Sequence, residues 1–142
     1  MIYTPMTKKA LKLCFEAHRD QTDKSGMPYV FHPFHLAEQM TDENTTTVAL
    51  LHDVVEDTNL TFEDLGNMGF PEQVIDALKL LTHDDRVEYM DYVANIKSNP
   101  IAVAVKLADL RHNSDTTRLD SVDEKALKRV EKYAKAIKLL TE

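Results

Sequence analysis

Along most of this chain the apolar residues recur at helical rather than strand spacing, and the runs are punctuated by prolines and by short polar residues that cap helices. Pro5 stands at the start of a first helix reaching about Arg19, with Leu11, Cys14, Phe15 and His18 on one face. A loop from Asp20 to Val30 follows, and Pro33 opens a short second helix to about Met40. The third helix is predicted from Asp42 to Glu56. Thr61 with Asp64 and Ser121 with Glu124 both match the reciprocal capping pattern, the former with Asp in place of the usual Glu. Pro71 opens a helix carrying Val74, Ile75, Leu78 and Leu81, and Val87 to Ile96 forms another. Pro100 precedes a strongly apolar helix, Ile101 to Leu110, and the last helix runs from Val122 to about Leu140. With three glycines and five prolines there is little turn chemistry for a sheet, so the predicted fold is all-α. No repeat, linker or low-complexity tract divides residues 1–142, which are expected to form one compact domain.

Charge and composition remove several classes of function. A net charge of −7 argues against DNA, RNA or anionic membrane as a partner, since each draws on a basic surface. No apolar run approaches the roughly 18 residues of a membrane span, and the start of the chain lacks the architecture of a signal peptide. The single cysteine, Cys14, excludes an internal disulfide and fits a reducing, cytoplasmic setting. A small anionic substrate remains compatible with all of this.

Residues 51–58 carry the candidate chemistry. Leu-His-Asp-Val-Val-Glu-Asp-Thr sets His52-Asp53 one helical turn ahead of Glu56-Asp57, so on a continuous helix His52 lies beside Glu56 and Asp53 beside Asp57. The segment follows Val48-Ala49-Leu50-Leu51 and contains Val54-Val55, which predicts burial on several faces. Buried carboxylates need a partner, and a cation satisfies several at once. In the apolar helix after Pro100, Lys106, Asp109 and Asn113 form one polar stripe. On an ordinary half-buried helix such a stripe faces water. Here the surroundings are apolar almost all round, so the stripe is expected to face a cavity and to offer Asp109 as a ligand. His32, fixed ahead of Pro33 at a helix entrance, is the remaining candidate.

Two imidazoles and two carboxylates with open positions suit a divalent ion such as Mn²⁺, with Fe²⁺ or Zn²⁺ as competitors. The remaining histidines are expected elsewhere: His18 supporting the core or the site, His35 near His32 or on the surface, His83 at a surface helix end, and His112 off the Asp109 stripe.

Together, His32-Pro33, His52-Asp53, Glu56-Asp57-Thr58 and Lys106-Leu107-Ala108-Asp109 with His112-Asn113 resemble the hydrolase domain of the Rel/SpoT alarmone enzymes and the single-domain small alarmone hydrolases. Ala17-His18-Arg19-Asp20-Gln21 and Lys24-Ser25-Gly26-Met27-Pro28-Tyr29 resemble the family's N-terminal motif, so the likeness runs from about Ala10 to Arg118. It implies a compact helical domain of HD type, in some members with a small β-hairpin. It also implies metal ligation, usually of Mn²⁺, by His32, His52, Asp53 and Asp109, with Glu56 and Asp57 activating or orienting the attacking water. Lys24 matches a basic residue near the substrate and Asn113 a polar residue of the nucleotide pocket, while Lys106 is either a phosphate partner or a salt-bridge partner of Asp109.

The family's reaction removes pyrophosphate from the 3′ position of ppGpp or pppGpp to leave GDP or GTP, and no alarmone synthesis is expected of this chain. One position departs from the pattern. The family commonly has an arginine just ahead of the Lys24 position, where its guanidinium can stack on guanine, and this chain has Asp23. Three readings stay open: an alarmone 3′-pyrophosphohydrolase, an HD-type hydrolase of another nucleotide or phosphoester, and a metal-stabilised binding module without turnover.

Overall fold

The computed structural model describes Met1–Glu142 as nine α-helices and one 3₁₀ turn. In chain order these are α1 (Pro5–His18), α2 (Phe31–Glu38), α3 (Glu43–Leu51), α4 (Val54–Asp57), α5 (Phe62–Asn67), α6 (Glu72–Leu81), α7 (Tyr89–Ile96), α8 (Pro100–Asn113), the 3₁₀ turn Thr116–Arg118, and α9 (Glu124–Thr141). There is no β-hairpin. Its only trace is an isolated antiparallel bridge between Thr22 and Pro28 in the α1–α2 loop.

The centre is α3. Every residue from Thr45 to Leu51 is buried, because α1, α2, α6 and α8 pack around it. A helix apolar on all sides is stable only inside a bundle, which is why the run Val48-Ala49-Leu50-Leu51 lies where it does. Thr45 and Thr46 turn their hydroxyls back to the chain, as Thr46 Oγ1 does to the Asp42 carbonyl at 2.6 Å. Asp42 caps the helix, accepting from Thr45 N at 2.8 Å. One continuous cluster of 24 buried apolar residues joins α1, α2, α3, α6, α7, α8 and α9.

Several boundaries differ from the sequence reading. The helix expected over Asp42 to Glu56 is interrupted. α3 stops at Leu51, Asp53 sits near the bridge region of the backbone at φ −105° and ψ 0°, and a single turn resumes as α4. The second helix begins at Phe31, so Pro33 falls inside the first turn, where a missing N–H costs nothing. Pro71 caps α6 rather than opening it, and α9 is capped by Asp123, which accepts from Ala126 N at 2.8 Å, instead of by a Ser121–Glu124 box. The Thr61–Asp64 box is present in both directions. Phe15 lies outside the core at 51% exposure, with the Arg19 guanidinium over its ring.

Candidate metal centre and flanking cavities

The interruption between α3 and α4 shapes the site. Neighbours on an uninterrupted helix diverge by about 100°, so His52 and Asp53 would point apart. The bend brings them together instead, with His52 Nε2 3.0 Å from Asp53 Oδ2. α8 contributes Asp109, whose Oδ1 lies 2.9 Å from His32 Nε2 and 3.6 Å from His52 Nε2. Ligand atoms of His32, His52 and Asp109 all fall within 4.8 Å of one another, and all three side chains are buried. Asp53, the fourth ligand expected from the sequence, is not among these clustered atoms; it stands beside them against His52 and accepts a hydrogen bond from the Tyr29 hydroxyl.

Surrounding groups orient these four. His52 Nδ1 donates to the Ala49 carbonyl at 2.7 Å, which leaves Nε2 to carry the lone pair toward the cluster in the neutral ring. That Nε2 is buried and has no hydrogen-bond partner of adequate geometry. A lone pair facing two carboxylates is repulsive unless a cation lies between them, so this orphaned nitrogen is the observation that fits a metal. Without metal the ring answers by keeping a proton: burial opposes charge on His52, but Asp53 and Asp109 outweigh it and hold its pKa well above the usual imidazole value. Burial likewise raises Asp109, yet Lys106, His32 and His52 bring it well below the carboxylate range.

His112, set aside in the sequence as a ligand, is not one of the clustered atoms. It stacks on His32 with ring centroids 4.9 Å apart and Nδ1 to Nδ1 at 2.6 Å, and so takes the second ring nitrogen of His32. His35 in turn packs on His112 at 4.3 Å. Burial, with His32 beside it, pushes the His112 pKa down to about 4, consistent with a neutral ring that accepts.

Two cavities flank the cluster. The smaller, about 190 Å³, is lined by His52, Asp53 and Asp109 together with Glu56, Lys106 and Asn113. Lys106 is engaged by Asp109, Nζ to Oδ2 at 3.0 Å, so the salt-bridge alternative is the one realised. Asn113 donates to Asp109 Oδ1 at 3.0 Å. Glu56 reaches the cavity from α4, its Oε1 accepting the His83 backbone N–H at 2.6 Å. His83 is therefore no surface residue: it is half-buried, and its Nε2 is 2.8 Å from the Val87 carbonyl. Glu56 and Asp57 are solvent-exposed as residues, but loss of hydration around the carboxyls and the nearby Asp53 charge raise both above their ordinary values. Asp57 lines neither cavity; its backbone carbonyl accepts from Gln21 Nε2 at 3.2 Å.

The larger cavity, about 450 Å³, opens on the other side of His32 and is walled by Lys24, Tyr29, Asn113, Arg118, Arg129 and Tyr133 among others. Asp23 lies in its wall but does not stand free. Its Oδ1 accepts from Ser25 N, Ser25 Oγ and Met27 N at 2.9, 2.6 and 3.0 Å, and Oδ2 pairs with Arg118 Nη2 at 3.3 Å. Arg118, Arg129, Tyr133 and the Lys132 of the smaller cavity had no motif to mark them. Only the four-residue spacing of Arg129 and Tyr133 hinted at a shared face, and nothing local says what α9 packs against.

A bent helix carrying adjacent His and Asp, a second His at a helix entrance and an Asp from a central helix define a helical domain of HD type. Comparison with known proteins agrees. The chain is 32% identical over 124 residues to the bifunctional (p)ppGpp synthase/hydrolase SpoT of Escherichia coli, an alignment covering 77% of this chain and 18% of that protein. It is 31% identical over 121 residues to a guanosine-3′,5′-bis(diphosphate) 3′-pyrophosphohydrolase of Aquifex aeolicus, covering 77% and 17%. The solved structure of a metazoan orthologue of SpoT, described as hydrolysing ppGpp, matches with a TM-score of 0.79 and 26% identity, covering 99% of this chain and 88% of that one. No family model matches the chain. The chain belongs to the HD-domain family of the Rel/SpoT (p)ppGpp hydrolases. It spans less than a fifth of the length of the curated relatives cited.

Proposed function

We propose that this chain is a metal-dependent phosphohydrolase that removes the 3′-pyrophosphate of guanosine 3′,5′-bis(diphosphate), ppGpp or pppGpp, to give GDP or GTP. The observation that carries the reading is the orphaned, buried His52 Nε2 aimed among His32, Asp53 and Asp109, with Glu56 on the wall of the same cavity. Those four residues would hold the ion, for which Mn²⁺ suits the mixed nitrogen and oxygen donors and Fe²⁺ or Zn²⁺ compete. A divalent ion bound there would supply Lewis acidity to a phosphate oxygen and lower the pKa of a water toward neutrality.

The chain's own groups do the rest. Glu56, its carboxyl held by the His83 N–H and raised toward the working pH, accepts the proton of the attacking water. Asp57, on the same turn but outside both cavities, would bear on that water through its charge and through Glu56 beside it, the role the family resemblance implies. Lys24 lines the larger cavity together with His32, and desolvation and the nearby Arg129 and Lys132 charges lower its pKa, an arrangement that an anion relieves. Asn113 lines both cavities and can bridge the phosphate and nucleoside ends. Lys106 acts through Asp109, fixing the carboxylate rather than reaching the phosphate itself. Residues 1–142 work as one HD-type unit on a small nucleotide, with the continuous core as support. No helix is long and apolar enough to cross a membrane, and the buried lone thiol of Cys14 accords with a cytoplasmic setting.

A second reading, hydrolysis of another nucleotide or phosphoester, draws on the Asp23–Arg118 pair standing where the family carries a free cation. Assaying metal-stripped and Mn²⁺-loaded protein against ppGpp and a panel of nucleotides and phosphoesters tests both. The proposal expects metal-dependent turnover of ppGpp above the others; turnover confined to a different ester transfers the assignment to the second reading.

A further inference from the structure

The larger cavity holds three cations in two different states. Lys24 and Arg129 form no ion pair with any carboxylate and remain available to an anion. Arg118 is already spoken for. One terminal nitrogen donates to the His112 carbonyl at 2.9 Å and the other pairs with Asp23 at 3.3 Å. The N–H bonds of a guanidinium lie in its plane, so acceptors at its edge compensate the charge and fix the plane while leaving both faces open. No ring of the protein covers those faces, for the cation–ring contacts involve Lys9, Arg19, Lys79, Lys106 and Lys132 only. Leu119, Tyr29 and Tyr133 supply apolar surface to the same space. At about 450 Å³ the space is within the usual size of a small-ligand site.

We propose that Arg118 is the flat wall on which the substrate's base rests, and that Asp23 is the residue that positions it. The inference builds on the reading of this cavity as a nucleotide site. It gives Asp23 a purpose opposite to that of a missing arginine. The carboxylate ties the α1–α2 loop to the segment after α8, and through Ser25 and Met27 it also holds the loop that carries Lys24. A base-stacking cation then comes from the far wall of the cavity instead of from the loop. Replacing Asp23 by Arg would place two guanidinium groups together and release three hydrogen bonds of the loop, so it is expected to raise KM.

The test uses the Mn²⁺-loaded protein with three readouts: calorimetric binding of GDP, calorimetric binding of inorganic pyrophosphate, and kcat and KM on ppGpp. Arg118→Lys keeps the charge and removes the plane. It should weaken GDP about 2–30-fold, the range of one cation–π contact, and raise KM alike while kcat, pyrophosphate affinity and metal stoichiometry hold. Asp23→Asn, which loosens Arg118 without changing shape, should weaken GDP in the same direction by a smaller factor. Wild-type affinity for GDP in Arg118→Lys overturns the proposal, as does a parallel loss of pyrophosphate binding, which would mark a phosphate contact or a structural role. Absence of GDP binding by the wild type overturns it as well. If ppGpp is not hydrolysed but Arg118→Lys selectively weakens GDP, the base wall stands and the 3′-pyrophosphate reading falls.

Discussion

Asp109→Ala removes the carboxylate on which the centre converges. In the metal-free protein Asp109 contacts His32 Nε2 at 2.9 Å, Lys106 Nζ at 3.0 Å, Asn113 Nδ2 at 3.0 Å and His52 Nε2 at 3.6 Å. His52 can shed its proton when the carboxylate goes and Asn113 can turn to water, so those losses are modest. Lys106 cannot escape as readily: its side chain is 12% exposed, and Asp109 is the only carboxylate with which it pairs. Leaving a buried charge without its partner costs about 3–5 kcal/mol. For a chain of this size each kcal/mol moves Tm by a few degrees, so the metal-free variant should melt about 10–20 °C below the wild type. Calorimetric melts in the presence of chelator at pH 8 read this directly. The double variant Asp109→Ala/Lys106→Met removes the stranded charge as well and should recover at least half of the loss. A fall of under 3 °C in the single variant, or a double variant no better than the single, would refute the argument that Lys106 is sustained by Asp109. Metal analysis of the same single variant should find the site empty, because one of its two anionic ligands is gone; full occupancy would remove Asp109 from the ligand set.

Glu56→Gln keeps shape and the acceptor for the His83 N–H but loses the proton acceptor, so metal content should persist while kcat drops roughly 10²–10⁴-fold; an unchanged kcat moves water activation to another group. Cys14 tests burial by pH, since burial, with Asp53 adding, pushes its thiol from 9.0 up to about 12. The folded state thus holds a proton that the unfolded chain releases, so this contribution to stability is complete below about pH 9 and is lost as pH rises toward 12, by at most about 1.4 kcal/mol per pH unit. Denaturant titrations between pH 8 and 10 should show a shallower decline in Cys14→Ala than in the wild type, and equal slopes would contradict the assignment.

Most of the helices were legible because each is announced by local chemistry: Pro5 and Pro100 at first positions, Asp42 and the Thr61–Asp64 pair at caps, an apolar face in α6. His32, His52 and Asp109 were also legible as a group, since titratable residues on otherwise buried helices have few places to go. The bend at His52–Asp53 was hidden. No Pro or Gly marks it, and it shows only in the backbone, where α3 stops at Leu51 and Asp53 takes φ −105° and ψ 0°. The contact between His112 and His32 was hidden for a related reason: His112 lies off the Asp109 stripe on its own helix, and it is α2 that delivers His32 to its face. The basic wall contributed by α9 was invisible because helical periodicity gives Arg129 and Lys132 a solvated face, and only packing of α9 on α7 and α8 turns it toward the cavities. Asp23 looked like a lost cation until Arg118, 95 positions away, supplied its partner.

The central claim, cleavage of a 3′-pyrophosphate at a metal held by His32, His52, Asp53 and Asp109, is tested most directly by identifying products. Mn²⁺-loaded protein is incubated with ppGpp and the phosphorus species are followed by ³¹P NMR. The account predicts GDP and inorganic pyrophosphate in equal amounts, with no orthophosphate and no reaction in the presence of chelator. Orthophosphate as the product, or an inert ppGpp beside rapid cleavage of another phosphoester, would contradict it.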